Sequence, residues 1–273
     1  MPRHLPLALS GFITLLLFST AGWALDLSSA TIVVHGDSSV VSKAAVMLQE
    51  ELAERSGLTL PISDAMPPSG PSIQLGIRGS IPDVDVPELP EAYGIVATDT
   101  NVSLVGHDER GALYAAGRLI RLARCAKDSI RFDLETPIAT APNVPIRAHQ
   151  LAYRNTANTY DAWTVETYEQ YIRDLIIFGC NGVELITNLD PNVKDGAVMT
   201  ETMRAMNIKL SALIHSYGID VWLWSPVMDD EDEDVTTAEG LAKALELRKG
   251  FLAEYPAIDH VFVPGGDGGD TPV

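Results

Sequence analysis

The sequence has few cysteines and few basic residues. It holds only 2 cysteines, Cys125 and Cys180, and no Cys/His cluster has the spacing of a zinc site. We expect both to be free buried thiols, although an exported chain could pair them. The 19 lysines and arginines against 37 acidic residues give a formal net charge of -18. Such a surface repels phosphate backbones and anionic membranes, so nucleic-acid binding is not expected.

Long apolar runs are also scarce, and the one present lies at the start of the chain. Residues 5–17 are mostly apolar, follow Arg3, and precede the small residues Ala21, Gly22 and Ala24. This pattern predicts a secretory signal peptide, residues 1–24, cut after Ala24, and hence a secreted or periplasmic protein. A retained membrane anchor is the alternative, but the run is shorter than the ~20 residues that span a bilayer. No later segment is predicted to cross a membrane.

The next part of the chain, residues 25–140, predicts a small α+β domain. A β-branched strand at 30–34 precedes a helix at 40–55, and strands are expected at 58–62, 72–77, 93–97 and 102–105, before a second helix at 110–125. Residues 138–145 are rich in proline, alanine and threonine, and we place the domain boundary there.

Residues 145–273 alternate strictly between strand and helix. Strands are predicted at 146–153, 182–187, 220–224 and 259–263, and helices at 165–178, 200–217 and 237–255. This is the first half of a (β/α)8 barrel, which needs ~250 residues. We therefore expect a truncated barrel whose C-terminal half comes from the same gene. A small flavodoxin-like domain is the alternative, but residues 154–163 contain no glycine for a phosphate loop.

Two stretches resemble known families. Residues 91–95 (EAYGI) and 102–114 (VSLVGHDERGALY) resemble the non-catalytic N-terminal domain of family 20 hexosaminidases and family 67 α-glucuronidases. Residues 171–175 (YIRDL), 178–185 (FGCNGVEL) and 215–223 (HSYGIDVWL) resemble the barrel of family 67. The resemblance implies a glycosidase that acts on a poly- or oligosaccharide containing α-linked glucuronic acid or an N-acetylhexosamine, without a cofactor.

The resemblance also implies a catalytic acid in the last loop. Family 67 has a Ser-Glu-Gly-Gln-Pro-Gly-Pro stretch after the fourth strand, and its Glu is the general acid. Aligning the prolines places Asp267, within residues 265–272 (GGDGGDTP), at that position. Glycosidases need a proton donor beside the leaving oxygen, but Asp is one methylene shorter than Glu. Asp267 could instead cap a helix or stabilise the turn.

Polar and aromatic residues near the strand ends are candidates for sugar binding, because ligands bind at the carboxyl ends of barrel strands. Glu184 lies within an otherwise apolar strand, so it either binds sugar or joins an internal ion pair. Trp222 and Trp224 share one face of the third strand, where Trp224 could stack on a sugar or pack against helices. Arg147 resembles an arginine that hexosaminidases use on sugar hydroxyls, or forms a structural ion pair. Further candidates are His149, Tyr153, Arg154 and Asn188.

The acidic run at residues 229–234 is predicted to be a solvated loop, because it lacks the spaced ligands and glycines of a calcium site.

Two functions stay open for the whole chain. The chain is either part of an exported glycoside hydrolase or a non-catalytic carbohydrate-binding module. The barrel's missing half would carry the second catalytic carboxylate in the first case.

Overall fold

The computed structural model describes residues 24–151, 159–186, 198, 201–225 and 234–263. It contains two layered regions joined through one continuous set of buried side chains. Within those ranges, no helix is both long and apolar enough to cross a membrane. Cys125 and Cys180 are both free, as expected, but Cys180 is buried whereas Cys125 is only partly buried.

The first region is a six-stranded sheet packed against two helices. The elements of this region are β1 (Leu25–Asp26), β2 (Thr31–Val34), α1 (Ser39–Ser56), β3 (Ile62–Ser63), β4 (Ser72–Ile77), β5 (Tyr93–Ala97), β6 (Asn101–Gly106), α2 (Glu109–Leu122), β7 (Arg124–Ala126), β8 (Ser129–Phe132) and β9 (Ile138–Thr140). The six-stranded sheet has the strand order β3-β2-β4-β6-β5-β9, with β5 antiparallel to β6 and β9 and the other pairs parallel. A separate three-stranded sheet has the order β1-β8-β7.

The glycines of the resemblance motif are required by close packing. A Cβ added to Gly106 would lie 2.1 Å from the Ala112 nitrogen, and one added to Gly111 would lie 2.1 Å from the Ala92 oxygen. Asp108 caps α2 by accepting a hydrogen bond from the Gly111 N–H at 2.8 Å. The motif therefore builds the turn from β6 into α2, which is a packing role, as predicted.

Two expectations about local structure were wrong. Helix α2 ends at Leu122, and Cys125 lies in β7 instead of ending the helix. The strand predicted at 58–62 shrinks to Ile62–Ser63. Residues 138–145, where we place the domain boundary, also contribute a strand, β9, because its backbone pairs with β5 and extends the sheet. Pairing of this kind depends on a distant strand, so local composition does not reveal it.

The second region is the predicted run of alternating strands and helices. It comprises β10 (Ala148–Leu151), a 3-10 turn (Thr159–Ala162), α3 (Val165–Ile177), β11 (Gly182–Ile186), α4 (Met203–Ser216), β12 (Asp220–Trp224), α5 (Ala238–Leu252) and β13 (His260–Phe262). The four strands are parallel and lie in chain order. A flavodoxin-like sheet has a reversal in strand order, so this alternative is excluded and the half-barrel prediction is confirmed.

The three helices of this region begin at threonine caps. Thr164, Thr202 and Thr237 each accept a hydrogen bond from the backbone N–H three residues later, at 3.3, 3.1 and 3.0 Å. The helix side of the sheet buries Val183, Leu185, Val221 and Leu223, which are at most 1% exposed. Since side chains alternate along a strand, the remaining residues lie on the opposite face, called here the open face.

The two regions meet through their helices. Tyr114 on α2 donates a hydrogen bond to the Cys180 carbonyl at 3.1 Å, and Gly117 lets α2 approach the Ile177 backbone of α3, where a Cβ would lie only 3.0 Å away. Lys43 of α1 pairs with Glu169 of α3 at 3.0 Å. These contacts hold the first region against the amino-terminal part of the half-barrel.

Candidate functional site

A row of polar and aromatic residues crosses the open face of the half-barrel sheet. In the parallel register, Gln150 of β10 pairs with Glu184 of β11, Glu184 pairs with Trp222 of β12, and Trp222 pairs with His260 of β13. Residues in register on parallel strands point to the same face. All four strands thus contribute one member of the row to the face opposite the helices.

Glu184 is the carboxylate of this row. Its Oε2 accepts a hydrogen bond from Gln150 Nε2 at 2.8 Å. Burial raises the pKa of Glu184 above its ordinary 4.5, although the Gln150 hydrogen bond acts in the opposite direction. No cation pairs with Glu184 in the ranges that the structure describes. A half-buried carboxyl group with a raised pKa can bind a hydroxyl or keep its proton to a higher pH than an exposed glutamic acid does.

Trp222 and His260 form the other half of the row. Their ring centroids lie 4.2 Å apart with an interplanar angle of 30°. The indole lies over Gly182, where an added Cβ would be 2.8 Å from Trp222 Nε1. That Nε1 is buried and has no hydrogen-bond partner among the described residues. Glycine at position 182 therefore makes room for the indole.

Trp224 lies one step further toward the carboxyl end of the sheet. It pairs in register with Ile186 and Phe262, and it is half-buried. Its neighbours Val221 and Leu223 occupy the helix side, so Trp224 lies on the open face. The alternative that Trp224 packs against the helices does not hold for this arrangement.

Asp220 lies below this row, at the start of β12, and connects it to the first region. Its Oδ1 pairs with Arg110 Nη2, and its Oδ2 lies 3.6 Å from His260 Nε2. Arg110 also donates from Nε to the Gly218 carbonyl at 2.5 Å and lies 3.4 Å from Glu91 Oε1. An arginine of α2 thus contacts a carboxylate that also approaches the open face.

Arg147 has a different position from that expected for a sugar ligand. It precedes β10 at the amino end of the sheet, where its Nη2 pairs with Glu91. Its Nε donates to the Gly179 carbonyl at 2.6 Å and its Nη1 to the Val144 carbonyl at 2.7 Å. All three nitrogens have protein acceptors, so the geometry is that of the structural ion pair left open above.

His149 also lies away from the row. It is on the helix side of β10, where Nε2 lies 3.1 Å from the Tyr171 hydroxyl of α3. The alternation along β10 puts Gln150 on the open face and His149 on the other. Tyr160 and Trp163 belong to an aromatic cluster with Tyr168 and Tyr171, with centroids 4.5 to 6.4 Å apart.

The remaining predicted site residues, Asp267, Tyr153, Arg154 and Asn188, lie outside the described residues, and their roles stay predictions. Of the acidic run, Asp234 is described, and it accepts from the Thr236 N–H at 3.0 Å. In the described ranges, no group of three or more His, Cys, Asp or Glu side chains could hold a metal ion.

Sequence reasoning did not identify His260 and Gln150 as partners of Glu184 and Trp222. Each is a single polar residue in a short strand, and only the register between strands aligns them. The usable signal was alternation within each strand, which already separated Trp222 from Val221 and Leu223.

The chain resembles known proteins in structure but not in sequence. No protein-family profile matches the chain, and no curated protein matches it by sequence. Among solved structures, a GH20 exo-β-N-acetylglucosaminidase from Vibrio harveyi is 13% identical, with a TM-score of 0.63, over 91% of this chain and 45% of that one. A GH138 enzyme targeting pectin rhamnogalacturonan II is 16% identical, with a TM-score of 0.58, over 85% and 30%.

A third neighbour, CpGH84B, is 16% identical with a TM-score of 0.57 over 87% of this chain and 41% of its own. The chain therefore spans less than half the length of these three structures. At such identities the likeness shows the fold alone, which is of the glycoside hydrolase type. It does not single out family 67.

Proposed function

We propose that this chain is the amino-terminal part of an exported glycoside hydrolase, and that the open face of its half-barrel sheet contacts the sugar. The observation that carries the proposal is the row from Gln150 through Glu184 and Trp222 to His260. It combines a carboxyl group, an amide and two rings on one face. Sugars are bound by such hydrogen-bonding groups and by stacking of their apolar faces on aromatic rings.

The roles of Glu184, Gln150 and Trp224 are assigned from their positions on the open face, and those of Asp267, Tyr153, Arg154 and Asn188 from the sequence alone. Glu184 and Gln150 hydrogen-bond sugar hydroxyls, and Trp224, closer to the carboxyl end of the sheet, stacks on a ring. Asp267 is the acid that protonates the leaving oxygen, and Tyr153, Arg154 and Asn188 are further sugar contacts. Most glycosidases use a second carboxylate beside the acid, and Glu184 is available for substrate because it has no basic partner in the described part of the chain.

The charge on this face supports an uncharged sugar, such as an N-acetylhexosamine, over a glucuronic acid. The described carboxylates of the face are Glu184 and Asp220, whereas Arg147 is bound to Glu91 at the amino end. A uronate carboxylate placed beside Glu184 would be repelled. Arg154 is the one cation still predicted near the substrate.

A sugar-binding module without catalysis is the second candidate. Of the two carboxylates just named, Asp220 is paired with Arg110, so within the described residues of the open face Glu184 is the single one left for the reaction, whereas most glycosidases use two. Binding without turnover is the outcome that this arrangement alone would give.

Activity and binding assays separate the two functions. The purified chain is tested for hydrolysis of aryl N-acetylglucosaminides and aryl glucuronides, and for N-acetylglucosamine binding by calorimetry. Glu184→Gln and Trp224→Ala should each weaken binding about tenfold or more, the loss of one charged hydrogen bond or one stacking ring. Glu239→Gln, on an exposed position of α5, is the matched control and should bind as the parent does.

Hydrolysis that disappears in Asp267→Asn supports the enzyme. Because this chain holds only part of the barrel, hydrolysis is also assayed on the longer protein that contains the remaining strands, and binding without hydrolysis there supports the module. If the parent protein neither binds nor cleaves any of these sugars, the proposed function is wrong.

A further inference from the structure

One carboxylate connects the first region of the chain to the open face. Arg110, on α2, donates to the Gly218 carbonyl at 2.5 Å and pairs with Asp220 Oδ1. The second oxygen of Asp220 lies 3.6 Å from His260 Nε2. Asp220 therefore lies between an arginine that it pairs with and a histidine of the open-face row, to which it forms an ion pair when the imidazole is protonated.

The backbone of His260 is held in another way. The Asp259 N–H donates to the Val221 carbonyl at 2.9 Å, and the Val221 N–H donates to Asp259 Oδ2 at 2.8 Å. These bonds join β13 to β12 without Arg110 or Asp220. Loss of Arg110 should therefore change the direction of the His260 ring and leave the strand in place.

The position of the His260 ring matters because it stacks on Trp222 at 4.2 Å. The His260 side chain is 46% exposed, so the protein encloses it on one side and leaves the other to solvent. Asp220 is the acidic group that faces it from β12. Within the described residues, the side-chain interactions of this ring are those with Trp222 and Asp220.

We infer that Arg110 is a positioning residue for the open face: through Asp220 it sets the His260 ring against Trp222. The first region thus contributes to the site as well as to packing. The role of the ring pair in sugar binding rests on the proposed function, but its geometry can be measured without any sugar.

Proton NMR of the histidine rings tests the geometry. The chain has 6 histidines, and His260→Gln identifies the resonances of His260, which the Trp222 ring should shift upfield. In Arg110→Ala these resonances should move toward the values of an unstacked histidine. Asp220→Asn, which keeps the side-chain shape, should produce the same movement and serves if Arg110→Ala folds poorly.

Arg173→Ala is the matched control. Arg173 also joins the two regions, through its ion pair with Glu50 of α1. Its other contacts, to Glu169 and the Tyr217 hydroxyl, lie within its own region, and none of these contacts involves Asp220. Its loss should leave the His260 resonances unchanged. Unchanged resonances in Arg110→Ala and Asp220→Asn, or an equal movement in Arg173→Ala, would overturn the inference.

Titration with N-acetylglucosamine then separates this inference from the proposed function. Arg110→Ala and His260→Gln should each raise Kd about tenfold, and the double variant should be no weaker than either, because both act on the same ring. Kd changes that multiply in the double variant contradict the inference. If the parent protein binds no sugar but the His260 resonances move in Arg110→Ala, the proposed function is wrong and the positioning role of Arg110 is supported.

Discussion

Replacing Glu91 should destabilise the junction between the two regions more than any surface change. Glu91 is 7% exposed and accepts hydrogen bonds from Arg147, Arg110 and, at 3.0 Å, the Asn181 amide. Removing one partner of a buried ion pair costs about 3–5 kcal/mol, because the other charge stays behind. Arg110 keeps Asp220 and Arg147 keeps two carbonyls, so Glu91→Ala should cost about 3 kcal/mol.

The backbone at this position allows a second comparison. Glu91 has φ 63°, a left-handed conformation that costs a non-glycine residue about 1–2 kcal/mol. Glu91→Gly relieves that strain and should therefore be about 1 kcal/mol more stable than Glu91→Ala. A larger loss for glycine than for alanine would show that the strain argument is incorrect.

Urea unfolding, followed by far-ultraviolet circular dichroism, measures both differences. Glu88→Ala is the control, since Glu88 forms an exposed pair with Arg78, and its unfolding midpoint should match that of the parent. If Glu91→Ala and Glu88→Ala unfold at the same urea concentration, the Glu91 ion pairs do not stabilise the junction.

Three further predictions concern single side chains. Burial raises the pKa of Glu169, but hydrogen bonds from Tyr217 and Lys43 outweigh it and hold the pKa below 4.5. The stability from this group is thus present above pH 4.5 and lost as the pH falls through the lowered pKa. Glu169→Gln should melt below the parent at pH 7, and the gap should narrow as the pH falls below 4.5; a gap independent of pH contradicts this. Burial raises the pKa of Glu184 above 4.5, so its effect on stability has the opposite sign: stability present at low pH is lost as the pH rises through the raised pKa. Glu184→Gln should raise the melting temperature at pH 7 and leave it unchanged near pH 4, and equal shifts at both pH values would refute the burial argument. Gly182→Ala should cost about 1–3 kcal/mol and shift tryptophan emission, because its Cβ would lie 2.8 Å from Trp222 Nε1; unaltered emission would show that the indole does not lie there.

Much of the fold could be predicted from local patterns. Alternation of strand and helix after residue 145 gave the four parallel strands, and the threonines at 164, 202 and 237 mark where the helices begin. Elements formed by pairing with distant strands, such as β9 and the β7–β8 hairpin, were missed. Their short sequences carry little periodicity, and their partners decide whether they become strands.

The sequence by itself determined the kind of residue at the candidate site: a carboxylate at Glu184 and tryptophans at 222 and 224 on one face of a strand. Alternation within a strand is a local property, so it can be read without knowing the neighbours. Only the tertiary structure decided which side chains meet. The register aligned Gln150 and His260 with that row, turned His149 toward α3, and bound Arg147 to Glu91. These outcomes depend on hydrogen bonds between segments far apart in the chain, which local patterns do not specify.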